Sequence, residues 1–339
     1  MASVDGAGLP VYSVYGIKLA SDFPFTFHLS EDDGPPDLSF RCVAEPPIDP
    51  DWEEGATPVY ATSPRRFEQA SSFYLYRLAG CEIVRYTGRA HFYLWPDRIE
   101  CHLLDPRFHF AVQIWLLGGL LAYWLEHRGI PALHASAVAI DDQVVAFLAS
   151  NKGGKSSLVA GLMRLGHPLL TDDILPLEER DGGFVGLPSY PQMRMWPDEA
   201  QHFVGDFEGL QKVQPALSKR VVPVGPGGFG RFCGAAPPIR CIYVPERLDD
   251  EAAGVTITGL SLKEAMVELV RHSFLPRVVA AAGLEAQRFH LFASLIRQVP
   301  VRRLRYPSGL EQLPRVAEAV LDDLAESVPL RAAPSHSGG

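Results

Sequence analysis

The residues best suited to chemistry form a short loop, Ala149–Ser156, with the sequence ASNKGGKS. The loop matches the phosphate-binding pattern GxxxxGK[ST], except that alanine replaces the first glycine. Gly153 and Gly154 allow backbone N–H groups to wrap around an anion, and Lys155 can place an ammonium group against the outer phosphates of a nucleotide. The Ser156 hydroxyl suits Mg²⁺, and the start of the following helix adds partial positive charge. The alternative is an ordinary glycine-rich turn with an exposed lysine.

A pair of carboxylates follows the next apolar run. Asp172 and Asp173 come just after His167–Leu170, the run that follows the helix behind the loop. If that run lies beside the loop strand in a parallel sheet, both carboxylates reach the carboxyl end of the sheet near the phosphates. One acid can then hold Mg²⁺, and its neighbour can accept a proton from an attacking hydroxyl. The alternative is a turn cap, the role that we expect for Asp141 and Asp142.

Two further side chains are candidates for contact with phosphate. His134 lies one strand before the loop strand, so it is either an electrostatic partner of phosphate and the acid pair or a hydrogen-bonded structural residue. Arg194 lies in a proline-rich block past the acid strand, where a cation can bind the acceptor or the outermost phosphate. Its alternative is a surface arginine stacked on Trp196. Lys219 and Arg220 are weaker candidates, because such a pair in a polar loop is usually solvated.

The elements around the loop have the order strand, loop, helix, strand. Val144–Leu148 is an apolar strand directly before the loop, and Ser156–Leu165 has the pattern of an amphipathic helix directly after it. The strand belongs to the second arm of a hairpin formed by Ala132–Ile140 and Gln143–Leu148. This order is typical of an α/β nucleotide-binding core.

The region before this core is predicted to be rich in β-strands. Short runs of Tyr, Phe and Val are broken by Gly, Pro and Asp. They are Val11–Ile17, Ser72–Leu78, Glu82–Tyr86 and His91–Trp95. The acidic, proline-rich stretch between Leu29 and Pro58 predicts a long solvated loop.

Composition limits the classes of function. The chain has 339 residues and a net charge of -9, with 47% hydrophobic and 21% charged residues. These values are typical of a folded globular protein and argue against nucleic acid as a partner. The five scattered cysteines indicate reduced thiols, and the first ten residues lack the pattern of a secretory signal, so we expect a cytoplasmic protein. The apolar run Phe110–Leu125 is shorter than a bilayer requires, which predicts a buried helix and no membrane partner.

The order of these motifs resembles the catalytic core of the HPr serine kinase/phosphorylase family, which shares a P-loop fold with phosphoenolpyruvate carboxykinase. The resemblance covers Leu133–Leu177 and includes the histidine strand, the loop and the run RLGHPLLTDD. It implies an α/β kinase domain over residues 108–330. We expect a β-rich N-terminal region at 1–107 before this domain and a disordered tail at 331–339 after it.

The same resemblance implies roles for individual residues. The implied ligands of the nucleotide phosphates are Ser150, Asn151, Lys152, Gly153, Gly154, Lys155, Ser156 and Ser157. Lys155 is the phosphate clamp, while Ser156 and Asp173 hold Mg²⁺. Asp172 acts as the base for the acceptor hydroxyl, and His134 lies close to the transferred phosphate. ATP and Mg²⁺ are therefore the expected cofactors.

A second resemblance narrows the acceptor. Pro188–Pro197, with the sequence PSYPQMRMWP, and Leu133–Val138, LHASAV, are similar to HPr-kinase-related proteins of bacterial peptide-maturation clusters, notably lasso-peptide kinases. This similarity implies phosphorylation of a serine or terminal hydroxyl on a precursor peptide. The family's later Glu/Arg–Gly-rich signature has no counterpart, which favours the alternative of a catalytically weak nucleotide-binding regulatory or peptide-recognition protein. A kinase of a small metabolite and a homo-oligomeric state stay open.

Overall fold

The computed structural model describes residues 8–63, 72–150, 153–215, 217–250 and 253–326. Two large β-sheets organise this part of the chain. One is built from the N-terminal hundred residues, and the other contains the strand that leads into the glycine-rich loop. The predicted tail at 331–339 lies outside the described residues.

In the part of the chain that the structure describes, the N-terminal sheet has nine strands. They are β1 Val11–Val14, β2 Ile17–Ser21, β3 Ser30–Asp32, β4 Leu38–Val43, β5 Tyr60–Ala61, β6 Phe73–Leu78, β7 Cys81–Tyr86, β8 Ala90–Leu94 and β9 Arg98–Leu103. Their order across the sheet is β3-β1-β2-β4-β9-β8-β7-β6-β5. The predicted β-rich region is thereby confirmed.

Two details of that region were predicted wrongly. The run Val11–Ile17 is not one strand, because Tyr15 and Gly16 have φ values of +52° and +73° and form the turn between β1 and β2. The stretch predicted as a long loop contains β3 and β4, and both Leu38 and Phe40 are almost fully buried. Alternate apolar residues can bury one face of a strand even where the surrounding composition is polar.

A bent apolar helix packs on this sheet. It consists of α1 His109–Trp115, a wider π turn at Leu116–Leu120, and α2 Leu121–Glu126. Gly118 leaves the helical conformation, with φ −101° and ψ −109°, which accounts for the bend. The stretch Pro106–Glu126 is long and apolar enough to cross a membrane, but most of its apolar window is buried inside the protein. The prediction of a buried helix at Phe110–Leu125 is confirmed.

The second large sheet contains the loop strand. The remaining strands are β10 Ala132–Leu133, β11 Ala135–Ile140, β12 Gln143–Leu148, β13 Leu169–Thr171, β14 Leu175–Arg180, β15 Gly183–Gly186, β16 Gln192–Met195, β17 Arg220–Pro223, β18 Ile239–Leu248, β19 Thr256–Gly259 and β20 Val301–Pro307. Six of them form a mixed sheet in the order β13-β11-β12-β18-β20-β19. The small sheets β10-β14-β15 and β16-β17 complete the described strands.

The strand before the acid pair does not lie beside the loop strand, so that prediction is wrong. β13 pairs antiparallel with β11, and β11 pairs antiparallel with β12, which places β11 between them. Because two antiparallel steps restore the original direction, β13 and β12 still run the same way. Their carboxyl ends therefore reach one edge of the sheet, and β11 begins at that same edge.

The helices of this half hold the loop in place. They are α3 Lys155–Arg164, α4 Pro197–Val204, α5 Leu262–Arg271, α6 Pro276–Ala281, α7 Glu285–Gln298 and α8 Leu313–Glu326. The apolar stripe of α3, including Leu158 and Leu162, is buried, and α3 contacts β11, β12 and α8. This packing fixes the amino end of α3 at the edge where β12 ends.

The two halves share part of one core. Tyr190, Val213 and Val221 belong to the apolar cluster formed by the N-terminal sheet and the bent helix. The ring of Tyr190 lies 6.0 Å from that of Tyr15 and 6.2 Å from that of Phe27, measured between ring centres. The N-terminal sheet therefore reaches the proline-rich block that carries Arg194.

Candidate active site

The glycine-rich loop joins the end of β12 to the start of α3. Gly154 caps α3 with φ +87°, and a Cβ atom there would lie 2.6 Å from the Tyr306 hydroxyl. A Cβ atom on Gly153 would lie 2.5 Å from that of Ala149. Both positions thus require glycine, because neighbouring atoms lie too close for a Cβ atom. Gly154 is also required because its φ is positive. Asn151 and Lys152, both predicted phosphate ligands, lie outside the described residues.

Lys155 points into the loop. Its ammonium group donates to the backbone carbonyl of Ala149 at 2.7 Å and to that of Ser150 at 3.3 Å. Burial lowers the pKa of Lys155, while the nearby charges of Asp173 and Asp172 act to raise it. The predicted alternative of an exposed lysine is wrong, since this residue is only 7% exposed.

Asp172 lies against the start of α3. Its Oδ1 atom accepts hydrogen bonds from the hydroxyl of Ser156 at 2.8 Å and from that of Ser136 at 2.7 Å. Its Oδ2 atom accepts from the backbone N–H of Arg194 at 2.9 Å. These contacts fix the carboxylate beside the serine that follows the phosphate-clamp lysine.

Asp173 points to a different set of partners. Its Oδ1 atom lies 2.8 Å from Nε2 of His134, and its Oδ2 atom lies 3.5 Å from Nη1 of Arg194. Burial acts to raise the pKa of Asp173, but the hydrogen bond with His134 and the charges of Arg194 and Lys155 hold it well below its usual range. Asp173 has φ +81°, a conformation that often marks functional positions when a residue other than glycine adopts it.

His134 lies at the break between β10 and β11. Its backbone N–H donates to the carbonyl of His272 at 2.7 Å, so the chain leaves the regular ladder at this point. The break places the imidazole at the edge where the acid pair arrives. The structure brings His134, Asp172, Asp173 and Ser156 together, as the sequence predicted, but it gives the two aspartates different neighbours.

Arg194 is largely enclosed rather than exposed on the surface. Its side chain is 18% exposed, and its guanidinium lies over the ring of Phe27, 5.6 Å from the ring centre. The predicted alternative was a surface arginine stacked on Trp196, and it is wrong because Arg194 is enclosed and its guanidinium lies over Phe27; Lys219 lies over the Trp196 ring at 5.4 Å. Arg220, predicted to be solvated, is 9% exposed and donates to the backbone carbonyls of Phe207 and Ser218.

A cavity of about 380 Å³ opens in front of the loop. Its walls include five residues from the loop and α3, together with Asp173. The other residues that line it are Trp196, Asp198, Glu199, Lys219 and Arg247. Trp196, Asp198, Glu199 and Arg247 were not predicted from the sequence to be site residues. Arg247 lies near the end of β18, which is parallel to β12, so the rule that sites form at carboxyl ends of parallel strands could have identified it.

Glu199 connects this cavity wall to the helix behind the loop. It accepts a hydrogen bond from the hydroxyl of Ser157, and its second oxygen accepts from the backbone N–H of Trp196 at 2.9 Å. The Ser157 hydroxyl is therefore engaged with α4, and its role as a phosphate ligand stays a prediction. Only the second of these contacts is a helix cap, because Trp196 at the start of α4 has no side-chain acceptor for the first N–H groups of the helix.

The donor set near Ser156 fits a magnesium ion carried by a nucleotide. Mg²⁺ prefers oxygen ligands and usually combines one or two carboxylates with phosphate and water. The Ser156 hydroxyl and the Asp172 carboxylate supply two such oxygens side by side. Within the described residues, no group of three or more His, Cys, Asp or Glu side chains is arranged to hold a metal by itself.

Comparison with known proteins gives a likeness to solved structures only. No family model and no curated protein matches the chain. Among solved structures, the Hpr(Ser) kinase/phosphatase from Coxiella burnetii aligns with 57% of this chain and 94% of its own, at 15% identity and a TM-score of 0.28. A TM-score this low carries no argument about function.

Proposed function

We propose that this protein is a phosphotransferase that moves the γ-phosphoryl group of ATP to a hydroxyl of a peptide or protein. One observation carries the proposal: the loop with Lys155, the Ser156–Asp172 pair and the His134–Asp173 pair meet at one sheet edge. Each of these pieces has a separate task in phosphoryl transfer, which depends on positioning and on neutralising charge. If the aspartates only capped a turn and the histidine were only structural, the loop and the two pairs would not need to meet at the same sheet edge.

The loop and the first turn of α3 hold the nucleotide phosphates in this proposal. Lys155 exchanges its carbonyl partners for phosphate oxygens, and the N–H groups at the start of α3 add partial positive charge. Ser156 and Asp172 hold Mg²⁺, which neutralises negative charge on the phosphates when it is bound. We assign the metal to Asp172 rather than Asp173, because Asp172 is the acid in contact with Ser156.

The second acid, Asp173, acts on the acceptor. A hydroxyl placed between Asp173 and the nucleotide forms a bond to the γ-phosphorus as the bond from that phosphorus to the β-phosphate oxygen breaks. The hydroxyl proton passes to the Asp173 carboxylate, and ADP leaves. Because its pKa is held low, Asp173 stays ionised and orients the hydroxyl, while proton transfer follows late in the reaction. Arg194 and His134 keep this carboxylate in place.

The acceptor that we propose is a precursor peptide of the lasso type in the cytoplasm, where ATP is the donor. The block similar to lasso-peptide kinases lies at the site itself. Arg194 and Trp196 come from it, and its Gln192 accepts a hydrogen bond from the backbone of His28, next to the N-terminal sheet. The contact between His28 and Gln192 supports a contribution of the β-rich region to acceptor binding.

Transfer of label tests the proposal. The protein is incubated with γ-labelled ATP, Mg²⁺ and precursor peptides, and the peptides are analysed by mass spectrometry. Lys155→Met should abolish transfer, whereas Lys263→Met, which changes an exposed lysine at the start of α5, should leave it unchanged. Magnesium-dependent nucleotide binding without transfer to any acceptor would favour the regulatory alternative. If calorimetry shows no binding of magnesium nucleotides, both functions are rejected.

A further inference from the structure

The Arg194 guanidinium is enclosed by aromatic rings. Its Nη2 atom donates to the hydroxyl of Tyr190 at 3.3 Å, while Nη1 faces Asp173 at 3.5 Å. Phe27 covers the guanidinium, and the rings of Phe27 and Tyr190 are stacked with 18° between their planes. A planar cation held by a hydroxyl on one side and a ring on another has few ways to turn away from the carboxylate.

Tyr15 supports Tyr190 from the N-terminal sheet. The two rings meet edge to face, and the Tyr15 hydroxyl donates to the backbone carbonyl of Leu117, in the π turn of the bent helix, at 2.8 Å. Tyr15 is 1% exposed and has φ +52°, which is rare for a bulky residue and persists only where the surroundings hold it. Asp173, at the other end of this series of contacts, also has a positive φ.

The charges along this series are consistent with a fixed cation. Burial raises the pKa values of Tyr15 and Tyr190 and outweighs the opposing effect of Arg194, so both phenols stay neutral. Burial acts to lower the pKa of Arg194, but the negative charge of Asp173 opposes this effect, and the pKa lies above its usual value. The guanidinium thus stays charged although it is enclosed.

We propose that Tyr190 is a positioning residue that holds the Arg194 guanidinium toward Asp173. Tyr15, in the turn between β1 and β2, and Phe27, between β2 and β3, make the connections of the N-terminal sheet part of this support. The inference rests on the proposed function only where it concerns the rate of transfer. Without the Tyr190 hydroxyl, the guanidinium is free to turn away from Asp173. Transfer then slows, while ATP binding, which depends on the loop, stays the same.

A double-mutant cycle tests the proposal on the full chain. Tyr190→Phe removes one hydroxyl and should lower kcat about tenfold, the usual loss for a hydrogen bond to a charged group, with an unchanged KM for ATP. In an Arg194→Ala background, the same substitution should change kcat less than about twofold, because Tyr190 acts through Arg194. Tyr86→Phe, which alters a tyrosine stacked on Trp115, is the matched control and should have no effect. Equal losses in both backgrounds, or no loss in either, would overturn the proposal.

A second measurement does not depend on turnover. Phenylglyoxal modifies accessible guanidinium groups, and mass spectrometry can follow labelling of Arg194. Labelling should be several times faster in Tyr190→Phe and in Tyr15→Leu than in the wild type or in Tyr86→Phe. Unchanged labelling in Tyr190→Phe overturns the proposal, and unchanged labelling in Tyr15→Leu removes the N-terminal sheet from it. If the wild type transfers no phosphate but Tyr190→Phe labels faster, the proposed function fails and the positioning of Arg194 stands.

Discussion

Separate replacement of the two aspartates by asparagine distinguishes the roles that the structure favours from those implied by resemblance. Asparagine has nearly the same shape, and its amide can pair with the same neighbours, so both variants should fold. It also tolerates the positive φ of position 173 better than most residues do. What each variant loses is one negative charge at a defined place: beside Ser156 for Asp172, and beside His134 for Asp173.

The expected effects on magnesium dependence and on kcat follow from the position of each lost charge. Asp172→Asn removes a charged oxygen from the donor pair for Mg²⁺, so the magnesium concentration for half-maximal rate should rise about tenfold or more. Asp173→Asn should lower kcat with no change in magnesium dependence. A general base typically increases the rate by about 10²- to 10⁴-fold. A carboxylate whose pKa is held low is a weak base, so its contribution should lie at the lower end of this range. We therefore expect a loss of about 10²-fold, or about 2.7 kcal/mol in activation free energy.

The assay is steady-state transfer of label over a range of magnesium concentrations at saturating ATP. Asp142→Asn, in the exposed Asp-Asp turn of the hairpin, is a control of the same chemistry and should behave as the wild type. The reasoning is refuted if Asp173→Asn shifts the magnesium dependence while Asp172→Asn lowers only kcat. That result would restore the assignment implied by resemblance, with Asp172 as the base and Asp173 on the metal.

Three further predictions concern the loop, the core and the response to acid. Gly154→Ala should weaken nucleotide binding at least tenfold by calorimetry, because its Cβ would meet the Tyr306 hydroxyl at 2.6 Å; Gly166→Ala, which has φ +96° and open space around it, should bind normally. Arg288→Met should lower the free energy of unfolding by about 3–5 kcal/mol in urea titrations, because it leaves Glu126 buried without its bidentate partner, and a loss below about 1 kcal/mol would contradict this. The folded-state pKa of Asp173 lies below its unfolded value, so its ionisation stabilises the fold above about pH 4 and this contribution disappears as the pH falls further. Urea titrations should therefore show a gap in stability between wild type and Asp173→Asn that narrows from pH 4 toward pH 2, and a constant gap would reject the lowered pKa.

The local chemistry of the loop could be predicted from the sequence alone. An apolar strand, two adjacent glycines and an amphipathic helix are neighbours in the chain, and the backbone conformation at Gly154 is a short-range requirement. The buried helix and the hairpin around Asp141 and Asp142 were predictable for the same reason, since their hydrophobic periodicity and turn residues lie within a few positions of each other. The order of the strands in the sheet could not be predicted in this way, because the pairing of β13 with β11 joins segments about thirty residues apart.

The tertiary structure alone decided which acid faces which partner and what encloses Arg194. Adjacent residues at the end of a strand point in different directions, so the sequence could bring Asp172 and Asp173 to the site without assigning Ser156 to one and His134 to the other. Tyr190, which contacts the Arg194 guanidinium, is close in sequence, but Phe27, which covers it, is more than 160 positions away, and no local pattern records a contact of that range. Short-range conformational preferences fix the loop, whereas burial of distant apolar surfaces against one another fixes the neighbours of its charged groups.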